Sequence, residues 1–216
     1  MNYSKTIRQY CLYNPGSVFD VSFEMKRHFS MVPYKTLLKI MNRLEGEGIV
    51  KTFSKGIYLI NGGNDSVDPI IKFYANETSG MVVGYSMYNK HKITNYNDGK
   101  IVIFTNAMET SVKNIGDKYT LVRFPLGSFF ERDVATIEAL EIIENSPNII
   151  GLDEGNKANA IIELSNNIVK LKWEAEAIFK CKKYKYSTVC TLDMVLKNLN
   201  SKIDILTPFR EVDKNE

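Results

Sequence analysis

The sequence PYKTLLKIMNRLEGEGIVKTFSKGIYLI, residues 33–60, contains the strongest structural signal in the chain. Its first half predicts an amphipathic helix, because apolar residues recur at the spacing i, i+3, i+4 and i+7 and form one core-facing stripe. The residues of that stripe are Leu37, Ile40, Met41 and Leu44. Ser30 is the predicted cap of the helix and Pro33 suits its first turn, while Gly46 and Gly48 are expected to end it.

The opposite face of this helix carries side chains of the types that contact phosphates and base edges. They are Tyr34, Lys35, Thr36, Lys39, Asn42 and Arg43. Two β-rich runs follow at residues 49–53 and 57–60, and the short separation Ser54-Lys55-Gly56 predicts a hairpin between them. Lys51 and Lys55 are expected to project from this hairpin.

Upstream of this stretch, the pattern predicts a helix at 3–13, an extended segment at 17–19 and a second helix at 21–29. Asn14-Pro15-Gly16 has strong turn chemistry and separates the first two elements. The order helix, strand, helix, helix and hairpin is that of a winged helix-turn-helix, a small DNA-binding domain. The alternative interpretation is a helix with an ordinary solvated face followed by a structural hairpin.

The charge of the chain is unevenly divided, which favours the DNA-binding interpretation. Residues 1–60 contain nine Lys/Arg and four Asp/Glu, a net charge of +5. Residues 61–216 contain nineteen and twenty-one, a net charge of −2, which leaves the whole chain at +3. A basic end joined to a remainder near neutrality is typical of a polyanion-binding module attached to a second domain.

Length and composition indicate two domains in a reducing compartment. A chain of 216 residues, 44% of them hydrophobic and 25% charged, can bury a sizeable core beyond a sixty-residue module. The start lacks an apolar leader segment, and no apolar run is long enough to span a membrane. The cysteines, Cys11, Cys181 and Cys190, match neither a disulfide framework nor a zinc site. We therefore expect reduced thiols and a cytoplasmic protein.

The polar, Gly-rich run at 61–66 is the predicted domain boundary, where few packing contacts should cross. We expect a DNA-binding domain at 1–61, a mixed domain at 67–207 and a polar, frayed tail at 208–216. The fold class is thus α+β, an N-terminal winged helix-turn-helix followed by a small sheet and about four C-terminal helices. The elements predicted before those helices are a short apolar run at 69–74, a helix at 80–89 and strands at 100–105, 111–115 and 119–124.

Several short motifs resemble a known family. Ser17-Val18-Phe19, Asn42-Arg43-Leu44, Gly48-Ile49-Val50 and Lys55-Gly56-Ile57-Tyr58 resemble the N-terminal winged helix of the AbiEi-like antitoxins. Further along, Lys92-Ile93-Thr94, residues 100–106, and Arg132 with Thr136, Ala139 and Leu140 are similar to the second domain of that family. The resemblance extends over most of the chain.

This resemblance implies an antitoxin of a bacterial type IV toxin–antitoxin, or abortive infection, system that acts in phage defence. The first domain would bind double-stranded DNA at inverted repeats in its own promoter as a transcriptional repressor, and the second would counteract a nucleotidyltransferase-like toxin. Beyond Ser146 the chain is relatively polar, so no antitoxin role is assigned to particular residues there. Two alternatives are a regulator whose second domain senses a small molecule or dimerises, and a nuclease that uses scattered acidic residues.

The sequence offers little catalytic chemistry in its second part. Gly127-Ser128 resembles the opening of a nucleotidyltransferase motif, but the downstream pair of metal-binding aspartates is missing. Ser128 is therefore interpreted as part of the turn before a helix, whose N-terminus Glu131 and Asp133 would suit. His91 is interpreted as a solvated surface residue without an evident partner. With no phosphate-binding Gly loop and no metal-ligand cluster in the sequence, we expect no enzyme, no metal and no cofactor.

One basic patch lies outside the first domain. It consists of Lys180, Lys182, Lys183 and Lys185, interleaved with Tyr184 and Tyr186. One interpretation is a solvated helix end, where lysines complement the helix dipole. The other is a second phosphate contact or a binding site for an acidic partner.

Overall fold

Two small sheets, each flanked by helices, organise the polypeptide into a mixed α+β architecture. The computed structural model describes residues 3–63, 67–169 and 175–214. The first sheet has three strands and belongs to residues 3–61, and the second has four strands and belongs to the remainder. The α+β class predicted from the sequence is confirmed.

The N-terminal half runs helix, strand, helix, helix and hairpin. Its elements are α1 (Tyr3–Tyr13), β1 (Val18–Asp20), α2 (Val21–Arg27), α3 (Tyr34–Gly46), β2 (Val50–Ser54) and β3 (Ile57–Ile60). β3 lies between β1 and β2 and is antiparallel to both, with Val18 opposite Leu59 and Val50 opposite Ile60. The predicted element order in this half is confirmed, with boundaries shifted by one or two residues.

The core of the N-terminal half is built on the apolar stripe of α3. All four predicted stripe residues are buried. They pack with Ile7 and Cys11 of α1, Phe19 of β1 and Tyr58 of β3. The predicted cap is wrong, since α3 is preceded directly by Pro33 and has no side-chain cap hydrogen bond. Ser30 lies three residues too early for a cap.

The second half begins with a short helix and a four-stranded sheet. Its elements are α4 (Pro69–Tyr74), β4 (Gly80–Val83), α5 (Tyr85–Lys90), β5 (Ile101–Thr105), β6 (Val112–Ile115) and β7 (Tyr119–Arg123). The strand order is β4-β5-β7-β6, in which only the β5–β7 pair is parallel. The apolar run at 69–74 is a helix, and the helix predicted at 80–89 is wrong in its first half, which is β4.

Helices complete the second half. They are α6 (Glu131–Asn145), α7 (Glu154–Val169), α8 (Ala175–Cys181), α9 (Tyr186–Asn198) and α10 (Leu206–Lys214), with a 3-10 turn at Ser146–Asn148. α6 is central and buries residues on all sides, including the charged Glu138 and Glu141. Helical spacing in the sequence predicts one of the C-terminal helices from Trp173 to Phe179, but Trp173, with the rest of the segment 170–174, lies outside the described residues.

The predicted frayed tail is wrong for residues 208–214, which belong to α10. Phe209 is buried and its ring meets that of Phe179 edge-on, with centroids 5.2 Å apart. An aromatic anchor of this kind holds the helix to the core because it removes a large apolar surface from water. The last two residues, 215 and 216, lie outside the described part of the chain.

A third hydrophobic cluster joins the two halves. Val18 of β1 and Ile57 of β3 pack with Ile70 and Tyr74 of α4 and with Ile103 of β5. Packing therefore crosses the predicted boundary, although residues 64–66 of that boundary are outside the described chain. Among the described residues, no helix has the length and apolarity that a bilayer crossing would need.

Candidate nucleic-acid interface

The polar face of α3 lies opposite its buried stripe and is open to solvent. Lys35, Lys39, Asn42 and Arg43 are exposed, Tyr34 is 44% exposed and Thr36 is half-buried. We call these six residues, together with Lys51 and Lys55 of the hairpin, the α3–hairpin surface. The two hairpin lysines are exposed as well. All eight residues singled out from the sequence therefore lie on one structural unit, and none is fully buried.

Three cations form a row along the exposed face of α3. Lys35, Lys39 and Arg43 are spaced at i, i+4 and i+8, so consecutive members are neighbours on the helix surface. Like charges at this spacing destabilise a helix by about 0.2–0.5 kcal/mol per pair. Because this face does not pack in the core, the fold gains nothing from the row.

The hairpin is fastened to the side of α3 by two hydrogen bonds. The backbone N–H of Thr52 donates to Glu45 Oε1 at 2.7 Å, and Tyr58 Oη donates to Asn42 Oδ1 at 3.1 Å. The hydrogen bond from Thr52 lowers the pKa of Glu45, whereas burial and the nearby Glu45 raise the pKa of Tyr58. At neutral pH both bonds are intact, so α3 and the hairpin present their side chains as one surface.

The hairpin turn places Lys55 at its tip. Gly56 has φ +74°, a left-handed conformation that residues with a side chain rarely adopt, and it closes the turn after Lys55. The pairing of β2 with β3 is irregular between Thr52 and Ser54. At this irregularity the Phe53 ring lies 6.0 Å from that of Tyr119 in β7, so the hairpin also touches the second sheet.

Two of the four carboxylates of residues 1–60 are buried and therefore do not reduce the positive charge of this surface. Asp20 and Glu24 are each only 2% exposed. Glu45 binds the hairpin backbone, and Glu47, which follows Arg43 by one helical turn, forms an ion pair with Arg8 at 2.7 Å. The exposed surface of this half is thus more cationic than its net charge suggests.

Sequence reasoning did not find the contacts that orient this half of the molecule. Asp20 Oδ1 caps α2 by accepting from the N–H groups of Ser22 and Phe23. Its other oxygen accepts from Tyr74 Oη of α4 and from Lys113 Nζ of β6, the latter at 2.8 Å. A capping signal at Asp20 was available in the sequence, since Asp is a favoured cap. Its two distant partners carry no local signal.

The basic patch at 180–185 is largely paired within the molecule. Lys180 binds Glu176 at 2.5 Å, Lys182 binds Glu141 of α6, and Lys185 binds Glu144 of α6 at 3.4 Å. The ammonium group of Lys182 also lies over the rings of Phe104 and Tyr184. Lys183 also has an interaction partner within the protein. Lys182 and Lys185 serve as counter-ions for carboxylates of the core helix α6, which favours the structural interpretation of the patch.

Reversing two of these lysines should separate the two interpretations. We expect Lys182→Glu with Lys185→Glu to destabilise the protein by about 3 kcal/mol or more, because Glu141 is buried and would face a like charge. DNA affinity of the folded fraction should not change. Urea unfolding and DNA titration measure the two effects. A loss of DNA affinity without a loss of stability would instead assign the patch to binding.

His91 is not the solvated residue that the sequence suggested. Its side chain is 12% exposed, and Nε2 lies 2.9 Å from Glu138 Oε2. Lys90 Nζ binds the other oxygen of Glu138 at 2.9 Å. The partner is on α6, forty-seven residues further along the chain, so no local pattern could reveal it.

The Glu138 cluster gives a pH-dependent contribution to stability. Burial raises the pKa of Glu138, but the hydrogen bonds from His91 and Lys90 outweigh it and bring the pKa below the usual 4.5. Since the folded pKa is below the unfolded one, the stabilisation is present above about pH 4.5 and is lost as the pH falls through the folded pKa. We expect Glu138→Gln to lower the free energy of unfolding by about 1–3 kcal/mol at neutral pH. On acidification the variant should then lose less stability than the parent does.

Urea unfolding of the Glu138→Gln variant and the parent, at neutral and acidic pH, measures this difference. Glu163→Gln is the matched control, because Glu163 is exposed on α7. Equal acid sensitivity of the Glu138→Gln variant and the parent would contradict the assignment.

In the part of the chain that the structure describes, the other residues that the sequence offered for catalysis or metal binding are not gathered into one site. Ser128 lies in the loop between β7 and α6, and Glu131 and Asp133 occupy the first turn of α6 as predicted. Within the described residues, no group of three or more His, Cys, Asp or Glu side chains is arranged to hold a metal ion. The three cysteines are free thiols, and burial raises the pKa of Cys11 and of Cys181 to about 11. Thiols with such pKa values are weak nucleophiles at neutral pH.

Comparison with known proteins does not assign this geometry to a class. A scan against models of known protein families gives no match for the chain, and a search of curated proteins gives no significant match either.

Proposed function

We propose that residues 3–61 form a winged helix-turn-helix that binds double-stranded DNA. In this proposal α3 enters the major groove and the β2–β3 hairpin is the wing. The observation that carries it is the exposed row of Lys35, Lys39 and Arg43, which lies opposite the buried stripe of α3 and beside the hairpin fastened by Glu45 and Tyr58.

The α3–hairpin surface divides into residues that read bases and residues that anchor the backbone. Tyr34, Lys35, Thr36 and Lys39 occupy the N-terminal turns of α3, the end that reaches base edges in this mode of docking. Asn42 accepts from Tyr58 through its Oδ1, so its Nδ2 group is left to donate to the DNA. Lys51 and Lys55 contact phosphates from the wing, as does Arg43 from the C-terminal part of α3.

Fluorescence anisotropy of the full chain with the duplex upstream of its own gene tests this proposal. A shuffled duplex of equal length and composition is the control. We expect the natural duplex to bind more tightly at physiological salt, by about a thousandfold if the site is specific. Equal and weak binding to both duplexes would overturn specific recognition.

The wing contact predicts a particular salt dependence. Lys55→Ala should weaken binding similarly for all duplexes and reduce the slope of log affinity against log salt by about one unit, because one phosphate contact is lost. Lys202→Ala, at an exposed lysine far along the chain, is the matched control. An unchanged slope for Lys55→Ala would place the hairpin away from the DNA.

The biological role that we propose is that of an antitoxin and autorepressor of its own operon. The support is the resemblance of both halves to the AbiEi-like antitoxins, in which the second domain counteracts a nucleotidyltransferase-like toxin. Co-expression with the product of the adjacent reading frame tests it. Rescue of growth by this protein is the expected result, and unrelieved toxicity would overturn the antitoxin role while leaving DNA binding intact.

A second candidate is a winged-helix transcriptional regulator whose second half senses a ligand. The observation that favours it is a cleft beside Tyr34, at the N-terminal end of α3. In that case growth rescue should fail, whereas DNA affinity should respond to a small molecule.

A further inference from the structure

A cleft of about 770 Å³ lies between the N-terminal half and the second sheet. One wall is α2 with Tyr34 at the start of α3, and the other is the loop from Asn106 to Thr110 with Val112 and Lys113 of β6. Its volume falls within the range of about 300–1,000 Å³ that is usual for small-molecule sites. We call it the Asp20 cleft, because Asp20 lies at its base beside Lys113.

The lining of the Asp20 cleft is mainly apolar. Its apolar side chains are Phe23, Met25, Tyr34, Ala107, Met108 and Val112. Phe23 is held by an edge-on contact with Phe73, whose ring centroid is 5.3 Å away. Val112 is 55% exposed and Tyr34 is 44% exposed, so the cleft presents apolar surface to solvent, as binding sites often do. The two methionines can adapt to the shape of a flat or branched ligand.

The charged groups of the cleft favour an anion. Three cations, Lys26, Arg27 and Lys113, line it with two carboxylates, Asp20 and Glu109. Lys113 is paired with Asp20 and Lys26 with Glu109, so Arg27 is the lining cation whose charge no lining carboxylate neutralises, although the buried Glu24 lies nearby. The guanidinium of Arg27 lies over the Phe23 ring, 5.6 Å from its centroid, at the edge of the apolar wall. A guanidinium group beside an aromatic ring can bind a carboxylate with two hydrogen bonds while the apolar part of the same ligand packs against the ring.

We infer that the Asp20 cleft binds a small aromatic or aliphatic carboxylate and that this ligand weakens DNA binding. The second part rests on the proposed function. Tyr34 lines the cleft and also begins the DNA-facing side of α3, so a ligand that covers Tyr34 removes it from the DNA. By linkage, DNA weakens ligand binding by the same factor.

The test uses 2-naphthoate as the probe and its neutral isostere 2-naphthamide as the comparison. Both are titrated into the full-length protein without DNA, by calorimetry and by NMR shift mapping. We expect naphthoate to bind with a Kd of about a millimolar or tighter, with shifted resonances around Tyr34, Met108 and Val112. The amide should bind about tenfold more weakly, because it lacks the charge that Arg27 recognises.

Two variants with matched controls locate the site. Val112→Trp fills the cleft and should abolish binding of both probes, and Arg27→Gln should remove the preference for naphthoate. Met194→Trp and Lys202→Gln introduce the same residues at exposed positions outside the cleft and should behave as the parent. Thermal melting shows that each variant is folded. Naphthoate binding that survives Val112→Trp, or the absence of binding in the parent, would overturn the site.

The coupling between ligand binding in the Asp20 cleft and DNA binding is measured in a separate titration. Saturating naphthoate should lower the affinity of the parent for its DNA by about fivefold or more and leave the Val112→Trp variant unaffected. An unchanged DNA affinity in the parent would overturn the regulatory part of the inference. If no duplex binds at all, the proposed function fails, but the ligand site is still judged by the titration without DNA.

Discussion

Replacing Lys35 and Lys39 together by glutamate should lower DNA affinity by about two to four orders of magnitude. Each lysine is expected to contribute a base or phosphate contact, and the reversed charges would face the phosphates at the centre of the interface. The fold should tolerate the change to within about 0.5 kcal/mol, because both positions are exposed. Lys39→Glu also turns a like-charge neighbour of Arg43 into an attractive pair at i, i+4.

Anisotropy titrations and urea unfolding of the same preparations measure the two effects of this double variant. The matched control is Lys100→Glu with Lys202→Glu, which changes the net charge equally at exposed positions outside the α3–hairpin surface. If both double variants lose the same affinity, the effect is one of general charge and α3 is not the reading helix. Loss confined to the first variant supports docking through α3.

Among the single substitutions, Asp20→Ala should produce the largest loss of stability, about 3–5 kcal/mol. The Asp20 side chain is 3% exposed and joins three elements. One oxygen caps α2, and the other accepts from Tyr74 and Lys113. Removing the carboxylate leaves the α2 N–H groups and the Tyr74 hydroxyl without their acceptor and leaves Lys113 unneutralised at the junction of the two halves.

The molecule contains its own control for Asp20. Asp68 caps α4 in the same way and accepts from Tyr119 Oη and Lys118 Nζ, but its side chain is 23% exposed. Because water can replace some of the hydrogen bonds that Asp68 accepts, we expect Asp68→Ala to lower the free energy of unfolding by only about 1–2 kcal/mol. Urea unfolding of the two variants gives the comparison. Equal losses would show that burial does not set the contribution of Asp20.

The part of the fold that was predictable from sequence is the part determined by local periodicity. The α3 stripe from Leu37 to Leu44 needs only a 3.6-residue repeat, and the hairpin needs only a short turn with Gly56 between two β-rich runs. The exposed positions of α3 follow from the same repeat, and so the eight residues of the α3–hairpin surface could be named in advance.

The error at residues 80–89 has a tertiary cause. Gly80 begins β4, and a Cβ there would lie 2.2 Å from the carbonyl oxygen of Phe104 and 2.3 Å from that of Tyr74. The close approach of β4 to β5 and α4 therefore selects glycine, and the β-branched Val82 and Val83 then favour the strand. Helical spacing further along the run is real, but it belongs to α5.

The contacts that sequence reasoning missed are non-local. His91 meets Glu138, Lys182 meets Glu141, and Asp20 meets Lys113, ninety-three residues away. Charged residues at such positions look solvated in a sequence because nothing nearby indicates burial. Their pairing depends on how α6 and the second sheet are assembled, which is decided by the whole chain.

The cluster formed by Val18, Ile57, Ile70 and Tyr74 has an implication for anyone who would transplant residues 3–61 as a unit onto another protein. Cut out at the boundary that the sequence suggests, the unit would expose two core residues and lose the hydroxyl that satisfies Asp20. A functional graft would have to carry α4 along as a cover.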